Sequence, residues 1–206
     1  MKEKVIIVLD TETLGVLDPR VYEIGYVVAT ADGKVLRERD YMIKQIYENQ
    51  ELFRTAYYAN KRSIYDQKLA DGLAKAVYWG YAMKVLANDI ERYGVAEIYA
   101  FNSRFDMNAI NVTHQHLGAK TRPTADGILD IMKFIAPITQ TEEYKAFCET
   151  NGYLTKHKTP KPQKTAEVLY RYLTNNVDFI EDHMALEDSL IELAILLESI
   201  QRALGN

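Results

Sequence analysis

The feature that most constrains the fold is a short apolar run that leads directly into two acids. Residues Val5 to Leu9 are all aliphatic, and Asp10-Thr11-Glu12-Thr13 follows at once. Such a run is too short for a helix and too apolar for a surface strand, so it predicts a buried strand that ends at the acids. Because side chains alternate across a strand, Asp10 and Glu12 should project from one face. Two neighbouring carboxylates repel each other unless a cation neutralises them, although a lone pair of this kind is more often solvated surface.

A third acid follows a second apolar run. Val95 to Phe101 predicts another buried strand, from which the chain passes through Asn102 and Ser103 to Asp106. From Asp106 onward, apolar residues recur at helical spacing as far as Gly118, which can end the helix. Asp106 is therefore expected at the start of a helix and at the mouth of a strand. An acid there also complements the helix dipole, which requires no catalytic role.

The last candidate group opens a long C-terminal helix, whose apolar face is predicted between Leu186 and Ile200. His183 and Asp188 are five residues apart, about 140° around a helix, so they should not share a helical face. We therefore expect His183 in the loop before the helix and Asp188 in its first turns, both near one opening. An exposed loop histidine and an early-helix acid would explain the same residues without any chemistry.

In this order, DTET, N-x-x-F-D and H-x-A-L-x-D resemble the motifs of the DEDDh family of 3′-to-5′ exonucleases. That family includes the proofreading subunit of bacterial replicative DNA polymerase, RNase T and oligoribonuclease. The resemblance extends from about Lys4 to about Leu197, although the stretch from Tyr41 to Tyr81 matches nothing in the family pattern. It implies an α/β fold of the ribonuclease-H-like type, with a mixed central sheet flanked by helices and the acids gathered at one sheet edge.

The resemblance also implies a role for each residue. It makes His183 the general base, and it makes four acids the ligands of two divalent cations, Mg²⁺ or Mn²⁺: Asp10, Glu12, Asp106 and Asp188. It places five residues in contact with the substrate: Thr11, Thr13, Leu14, Asn102 and Phe105. Proofreading subunits often carry a second threonine at the position of Leu14. This difference makes the choice between DNA and RNA as the substrate less specific.

These residue types suit phosphodiester hydrolysis. Two cations roughly 3.5–4 Å apart can stabilise both the attacking and the departing oxygen, and hard oxygen ligands favour Mg²⁺ or Mn²⁺ over zinc. A histidine, with an unperturbed pKa of roughly 6.5, is suited to take the proton from the attacking water.

The expected activity is 3′-to-5′ hydrolysis of single-stranded or frayed DNA to nucleoside 5′-monophosphates. An exoribonuclease or oligonucleotide-degrading enzyme would use the same site. A catalytically silent strand-binding subunit is a second alternative, although it should lack at least one motif acid. A phosphatase with Asp10 as its nucleophile would require a second Asp where Glu12 stands. The sequence does not decide between a stand-alone enzyme and one that joins a replication or recombination complex, and it does not predict the oligomeric state.

Composition favours a compact enzyme of a reducing compartment. A length of 206 residues, 48% of them hydrophobic, is typical of one domain with a substantial core, so we expect a single exonuclease domain over residues 1–206. The lone Cys148 cannot form an internal disulfide, and the five-residue N-terminal apolar run is neither a signal peptide nor a membrane span. We therefore expect a cytoplasmic protein without a membrane partner. The net charge of −4 at first argues against a nucleic-acid partner, but two divalent cations at the four acids would neutralise it.

The remaining pattern predicts an antiparallel start to the sheet. Strands are expected at Val21 to Thr30 and Val35 to Ile43, joined by a hairpin turn at 31–34. A tyrosine-rich segment at about 44–80, which the family pattern leaves unplaced, is predicted to be helical. A further helix is predicted from about Trp79 to Tyr93, ended by Gly94.

Two segments carry both a structural and a functional interpretation. The tyrosines between Tyr47 and Tyr81 can stack on unpaired bases, but residues of this kind more often pack a helical layer against a sheet. Four lysines occur between Lys156 and Lys164, interspersed with prolines. They form either a solvated loop that the prolines keep extended or a contact with the nucleic-acid strand, and the solvated loop is the more common case.

Overall fold

A mixed six-stranded sheet forms the centre of the protein in a computed structural model that describes residues 4–118 and 127–205. Its strands in chain order are β1 Val5–Thr13, β2 Val21–Thr30, β3 Val35–Ile43, β4 Lys75–Val77, β5 Val95–Ala100 and β6 Leu129–Asp130. Their order across the sheet is β4-β3-β2-β1-β5-β6. The first three strands are antiparallel neighbours, whereas β4, β5 and β6 each pair in parallel with the strand beside them. The predicted mixed sheet is confirmed.

Helices cover both faces of this sheet. In the described ranges they are α1 Lys44–Tyr47, α2 Gln50–Phe53, α3 Arg62–Ala70, α4 Trp79–Tyr93, α5 Ser103–His116, α6 Ala136–Thr139, α7 Glu142–Asn151, α8 Ala166–Thr174 and α9 Ala185–Gly205. The predicted helix α4 is confirmed, and it ends at Gly94, whose φ of 62° suits a glycine. Among the described helices, none has the length and apolar character needed to cross a membrane.

The alternation of side chains along β1 divides the core into two layers. Ile6 and Val8 pack against α6, α7, α8 and α9, whereas Ile7 and Leu9 pack against α4 and α5 on the opposite face. Asp10 and Glu12 continue the row of Ile6 and Val8. The two acids therefore emerge on the face of the sheet that α9 covers.

The first strand is longer than predicted. It does not end at the acids but continues to Thr13, because its pairing with β2 extends past Asp10 to the Thr13–Val21 pair. The parallel pairing of β1 with β5 ends earlier, at Val8 and Tyr99. Beyond this point β5 turns away into α5, which leaves a crevice beside the acids at the carboxyl end of central strands. Ligands bind in this position in open α/β sheets.

The tyrosine-rich segment forms a third cluster at the same end of the sheet. Its helices α1, α2 and α3 surround a core of interlocking aromatic rings from Tyr22, Tyr47, Phe53 and Tyr65. The prediction that residues 44–80 are helical is only partly right, because Lys75–Val77 pairs with β3 as strand β4. The buried tyrosines of the segment, Tyr47 and Tyr65, therefore pack its helices against the sheet and are not free to stack on bases.

Candidate active site

One cavity of about 600 Å³ lies in the crevice beside β1, and the residues predicted to carry the chemistry line it. They are Asp10, Glu12, Asp106, His183 and Asp188. We call this space the acid cavity. Sequence motifs separated by up to 178 residues thus meet at one place.

Regular elements position the acids. Asp106 lies in the first turn of α5, where its Oδ1 accepts a 2.7 Å hydrogen bond from the hydroxyl of Thr11 on β1. The chain turns sharply from β5 into α5 at Asn102, which adopts a left-handed φ of 59° and donates its backbone N–H to Asp130 Oδ1 at 3.0 Å. Asp188 lies in the first turn of α9.

Burial and mutual repulsion raise the pKa values of these carboxyls. Burial raises the pKa of Asp10 to about 7, with a further contribution from the charge of Glu181. Burial, and then the charge of Asp10, raise the pKa of Asp188 to about 9. The pKa values of Glu12 and Asp106 are also well above their ordinary range for the same two reasons. The raised pKa values show that nearby positive charge does not offset the burial and mutual repulsion of these carboxylates.

The donor atoms fit a divalent cation. Glu12, His183 and Asp188 each offer one ligand atom, and these atoms lie within 4.8 Å of one another. The buried Asp188 Oδ1 has no hydrogen-bond partner among the described residues, although a buried polar atom normally has one. Carboxylate oxygens suit Mg²⁺ or Mn²⁺. Asp10 and Asp106 line the same cavity but do not belong to this tightest group.

A different kind of support holds His183. Its ring stacks on Tyr58 with centroids 4.7 Å apart and planes inclined by 14°, and Lys61 Nζ lies 4.6 Å from the same tyrosine ring. Lys61 also donates a hydrogen bond to the carbonyl of Asp182, and the Tyr65 hydroxyl lies 3.3 Å from the carbonyl of His183. These contacts hold His183 at a φ of 49°, which is unusual for a residue with a side chain. Burial, together with the charge of Lys61, lowers the pKa of His183.

Neither a protein-family model nor a curated protein matches the sequence. Solved structures do resemble its fold. The nuclease domain of 3'hExo, described as a DEDDh family member and bound to rAMP, superposes with a TM-score of 0.60 and 11% identity over 97% of this chain and 93% of that one. E. coli Exonuclease I, in complex with a dA16 oligonucleotide, superposes with a TM-score of 0.52 and 16% identity over 93% of this chain and 40% of its own. The chain has a DEDDh exonuclease-like fold.

Two further acids of this DEDDh-like fold line the acid cavity, and the motifs did not single them out. Glu192 Oε2 accepts a 3.1 Å hydrogen bond from the backbone N–H of Phe101, and burial raises the pKa of its carboxyl well above the ordinary range. Glu192 follows Asp188 by four residues, so the helical period could have placed both on one face. Glu181 Oε2 lies 3.7 Å from His183 Nδ1, and burial raises the pKa of the Glu181 carboxyl to about 7. No sequence pattern indicated this second acid.

Not all of the residues predicted to contact the substrate line the acid cavity. Four of them line the acid cavity: Thr11, Thr13, Asn102 and Phe105. Leu14 does not line the cavity, because its side chain is only 2% exposed and packs in the aromatic cluster of the tyrosine-rich segment. An irregularity in the strand pairing between Glu12 and Thr13 precedes this inward turn. Gly15 and the 82% exposed Val16 line the cavity instead.

The closeness of α9 to β2 depends on Gly25, which sequence reasoning also missed. A Cβ added to Gly25 would lie 2.1 Å from the backbone nitrogen of Leu186, a distance that real atoms do not tolerate. The hydroxyl of Ser189 lies 3.1 Å from the carbonyl oxygen of Gly25. Gly25 is also the cross-strand partner of Asp10. The helix that carries Asp188 therefore lies directly on the strand next to Asp10.

Proposed function

We propose that this protein is a metal-dependent 3′-to-5′ exonuclease that hydrolyses single-stranded or frayed DNA to nucleoside 5′-monophosphates. The observation that carries the proposal is the meeting of four carboxylates and one histidine in a single cavity of a DEDDh-like fold. The single domain over residues 1–206 and the cytoplasmic location stay predictions from the sequence.

In this proposal, four carboxylates hold two divalent cations, Mg²⁺ or Mn²⁺: Asp10, Glu12, Asp106 and Asp188. When bound, the cations stabilise the negative charge that develops on the phosphate and on the leaving oxygen. The Thr11 hydroxyl keeps Asp106 in place from the neighbouring strand. Among the described residues, Lys164 is the one lysine that lines the acid cavity, so cations would supply most of the positive charge there.

His183 acts as the general base in the proposed reaction. Its lowered pKa keeps the ring neutral near pH 7, so that a ring nitrogen can accept the proton of the attacking water. Because a ring nitrogen of His183 lies within 4.8 Å of carboxylate oxygens of Glu12 and Asp188, a ligand role is the competing assignment. The two roles differ in what removal of the ring does to metal affinity.

Exonuclease action is proposed from the likeness of the fold to DEDDh exonuclease structures. The walls of the acid cavity come from β1 and residues 15–16 after it, Tyr57 and Tyr58, the start of α5, Met132, residues 164–166, the loop before α9 and the start of α9. We expect a free 3′ end to lie among them. A paired terminus must first be separated, at a cost of roughly 1.4 kcal/mol per base-pair step, so single strands should be cleaved faster.

An exoribonuclease is the second candidate, because structures with this fold occur with both kinds of nucleic acid. The 3'hExo nuclease domain was solved with rAMP, and Exonuclease I with a DNA oligonucleotide. A further 3′-exonuclease structure describes 3′-end recognition of a histone mRNA stem-loop, with a TM-score of 0.59 and 11% identity over 97% of this chain and 64% of that one.

The test is digestion of 5′-labelled DNA and RNA strands of one sequence by the purified protein of residues 1–206, with Mn²⁺ or with EDTA. We expect mononucleotides released from the 3′ end, faster on DNA, only with the cation, and no cleavage of circular single-stranded DNA. Glu143→Gln, which changes an exposed acid on α7 outside the acid cavity, is the matched control for variants of the acids. Cutting of circles at the linear rate would contradict exonuclease action. Strand binding without any hydrolysis would favour the silent subunit.

A further inference from the structure

The lysine-rich segment before α8 is a hairpin with a defined backbone, which we call the lysine hairpin (residues 153–164). The N–H of Thr155 donates to the carbonyl of Lys161 at 2.8 Å, and the N–H of Gln163 donates to the carbonyl of Tyr153 at 3.0 Å. Pro160 restricts its tip, since a proline fixes its own φ. The positions of the lysines are thus set by backbone pairing, which a solvated extended loop would lack.

The charges of the lysine hairpin are available to an external anion. Four of its side chains are exposed and make no ion pair with any described residue: Lys156, Lys158, Lys161 and Lys164. Lysines elsewhere, such as Lys145 with Glu142, do have a carboxylate partner. Local concentration of unpaired positive charge attracts polyanions.

A second cavity, of about 760 Å³, lies along the lysine hairpin and shares one lining residue with the acid cavity. Lys158, Lys161 and His157 line it, and no carboxylate of the described residues does. Lys164 lines both this lysine cavity and the acid cavity. The next residue, Thr165, caps α8 and already belongs to the wall of the acid cavity. The basic surface therefore begins where the acidic one ends.

The two cavities are electrostatically complementary for a polyanion with one reacting end. Six carboxylates line the acid cavity: Asp10, Glu12, Asp106, Glu181, Asp188 and Glu192. Two divalent cations would balance four of these charges and hold the reacting phosphate, but they leave nothing to attract the phosphates further along the strand. Cationic side chains just outside the cavity would supply that attraction without sequence preference.

We propose that the lysine cavity binds the sugar-phosphate backbone of a single-stranded nucleic acid whose 3′ end lies in the acid cavity. This inference rests on the proposed function, which it extends with a path for the strand. The path runs from the reacting end past Lys164 and along Lys161 and Lys158. The ligand is the backbone phosphate, so DNA and RNA strands should both be held there.

The test compares two substrates in the Lys158→Ala/Lys161→Ala double variant of the full chain. One is a labelled strand of about twenty nucleotides, long enough to occupy a groove of this kind. The other is the p-nitrophenyl ester of thymidine 5′-monophosphate, which has no phosphate beyond the reacting one. We expect kcat/KM for the strand to fall about tenfold, through KM, and turnover of the ester to change by less than about twofold.

Salt dependence gives a second readout. Each lost phosphate contact should reduce the slope of log affinity against log salt concentration by about 0.7 for a single strand, so the double variant should lose about 1.4. Lys158→Arg/Lys161→Arg should restore the slope. Lys34→Ala is the control for loss of a lysine charge outside both cavities, because Lys34 lies in the β2–β3 turn at the opposite end of the sheet.

The outcomes separate this inference from the proposed function. An unchanged slope and KM in the double variant would overturn the phosphate path, and equal losses on strand and ester would show a structural role instead. If the wild-type protein hydrolysed neither substrate, the proposed function would fail. Fluorescence anisotropy of the labelled strand would then still decide: salt-dependent binding that is lost in the double variant supports the path, and equal binding by both proteins overturns it.

Discussion

The two halves of the acid cavity are held in place by different means. The acid half consists of Asp10, Glu12, Asp106 and Asp188, which lie on a central strand and in the first turns of two long helices. The histidine half is His183, which lies in the loop before α9. The acid half is fixed by backbone pairing and the packing of two core layers. The histidine half is fixed by side chains of the tyrosine-rich segment.

This difference determines how each half should respond to substitution. Strand pairing and core packing involve many atoms, so a change at one acid removes its chemistry and leaves its neighbours in place. A ring stack contributes about 0.5–1.5 kcal/mol beyond burial, and a neutral hydrogen bond about 1 kcal/mol. The position of His183 is therefore sensitive to single changes at residues outside the proposed catalytic set.

The largest expected effect is in the acid half. Asp10→Asn or Asp188→Asn should reduce hydrolysis by about 10³-fold or more, because in the proposed mechanism each carboxylate would hold a cation, and its loss would remove several kcal/mol of transition-state stabilisation. The melting temperature of the metal-free variants should equal or exceed that of the wild type, since repulsion among buried acids is relieved. Rates on labelled strands and calorimetric melting, with Glu143→Gln as control, measure both. Near wild-type activity in either variant would rule out this site.

His183→Ala is expected to have the next largest effect. Loss of a general base should reduce the rate by about 10²–10⁴-fold, while the acid half still binds Mn²⁺. Isothermal calorimetry of Mn²⁺ binding distinguishes the two halves directly. A loss of metal affinity comparable to that of Asp188→Asn would make His183 a ligand, and the proposed separation of roles would be wrong.

A smaller effect is expected at Tyr58, and it isolates the support of the histidine half. Tyr58→Ala removes the ring beneath His183 and should lower the rate by about two- to tenfold, as the energy of an aromatic pair implies, whereas Tyr58→Phe keeps the ring and should change it little. Because Tyr58 also lines the cavity, the decisive measurement is a double-mutant cycle. In the His183→Ala background, Tyr58→Ala should have no further effect on kcat. Additive losses would show that Tyr58 acts on the substrate alone.

The last prediction concerns stability and not rate: the melting temperature should change with pH. The folded pKa values of Asp10 and Asp188, about 7 and about 9, exceed the ordinary 3.8. Between these limits the folded metal-free protein binds more protons than the unfolded chain, so its stability should fall as the pH rises from about 4 to about 9. Mg²⁺ must displace these protons to bind, so the increase in unfolding free energy that Mg²⁺ causes should grow as the pH rises over the same range. At a Mg²⁺ concentration a hundredfold above Kd this increase should be about 2.7 kcal/mol. Melting curves with and without Mg²⁺ measure this, and a cation effect independent of pH would contradict it.

The same contrast explains what could be predicted from the sequence. The apolar run before Asp10 and the helical spacing after Asp106 are local patterns, and each led to the correct element. The position of His183 in the loop before α9 followed from its spacing to Asp188. By contrast, no local pattern links Tyr58 or Lys61 to a histidine more than a hundred residues away, so their contacts with its loop could not be foreseen.

Leu14 and the short strand β4 could not be predicted for a related reason. Leu14 is an apolar residue after a strand, and sequence alone does not say whether it faces a ligand or a core formed by a later segment. That core exists only because α2 and α3 fold over the end of β1. Likewise, Lys75–Val77 is too short to produce a pattern, and it becomes a strand because the exposed edge of β3 is there to pair with it.

The contact at Gly25 has a consequence for how mutational tolerance in this protein would be interpreted. In a saturation library selected for nuclease activity, position 25 should accept glycine alone, because even alanine would push the start of α9 away from β2. Its tolerance profile would therefore look like that of Asp10 or Asp188. A selection for activity would therefore group Gly25, which has no functional side chain, with the catalytic acids. A selection for folded protein alone would distinguish them, because substitutions of the acids would be tolerated and substitutions of Gly25 would not.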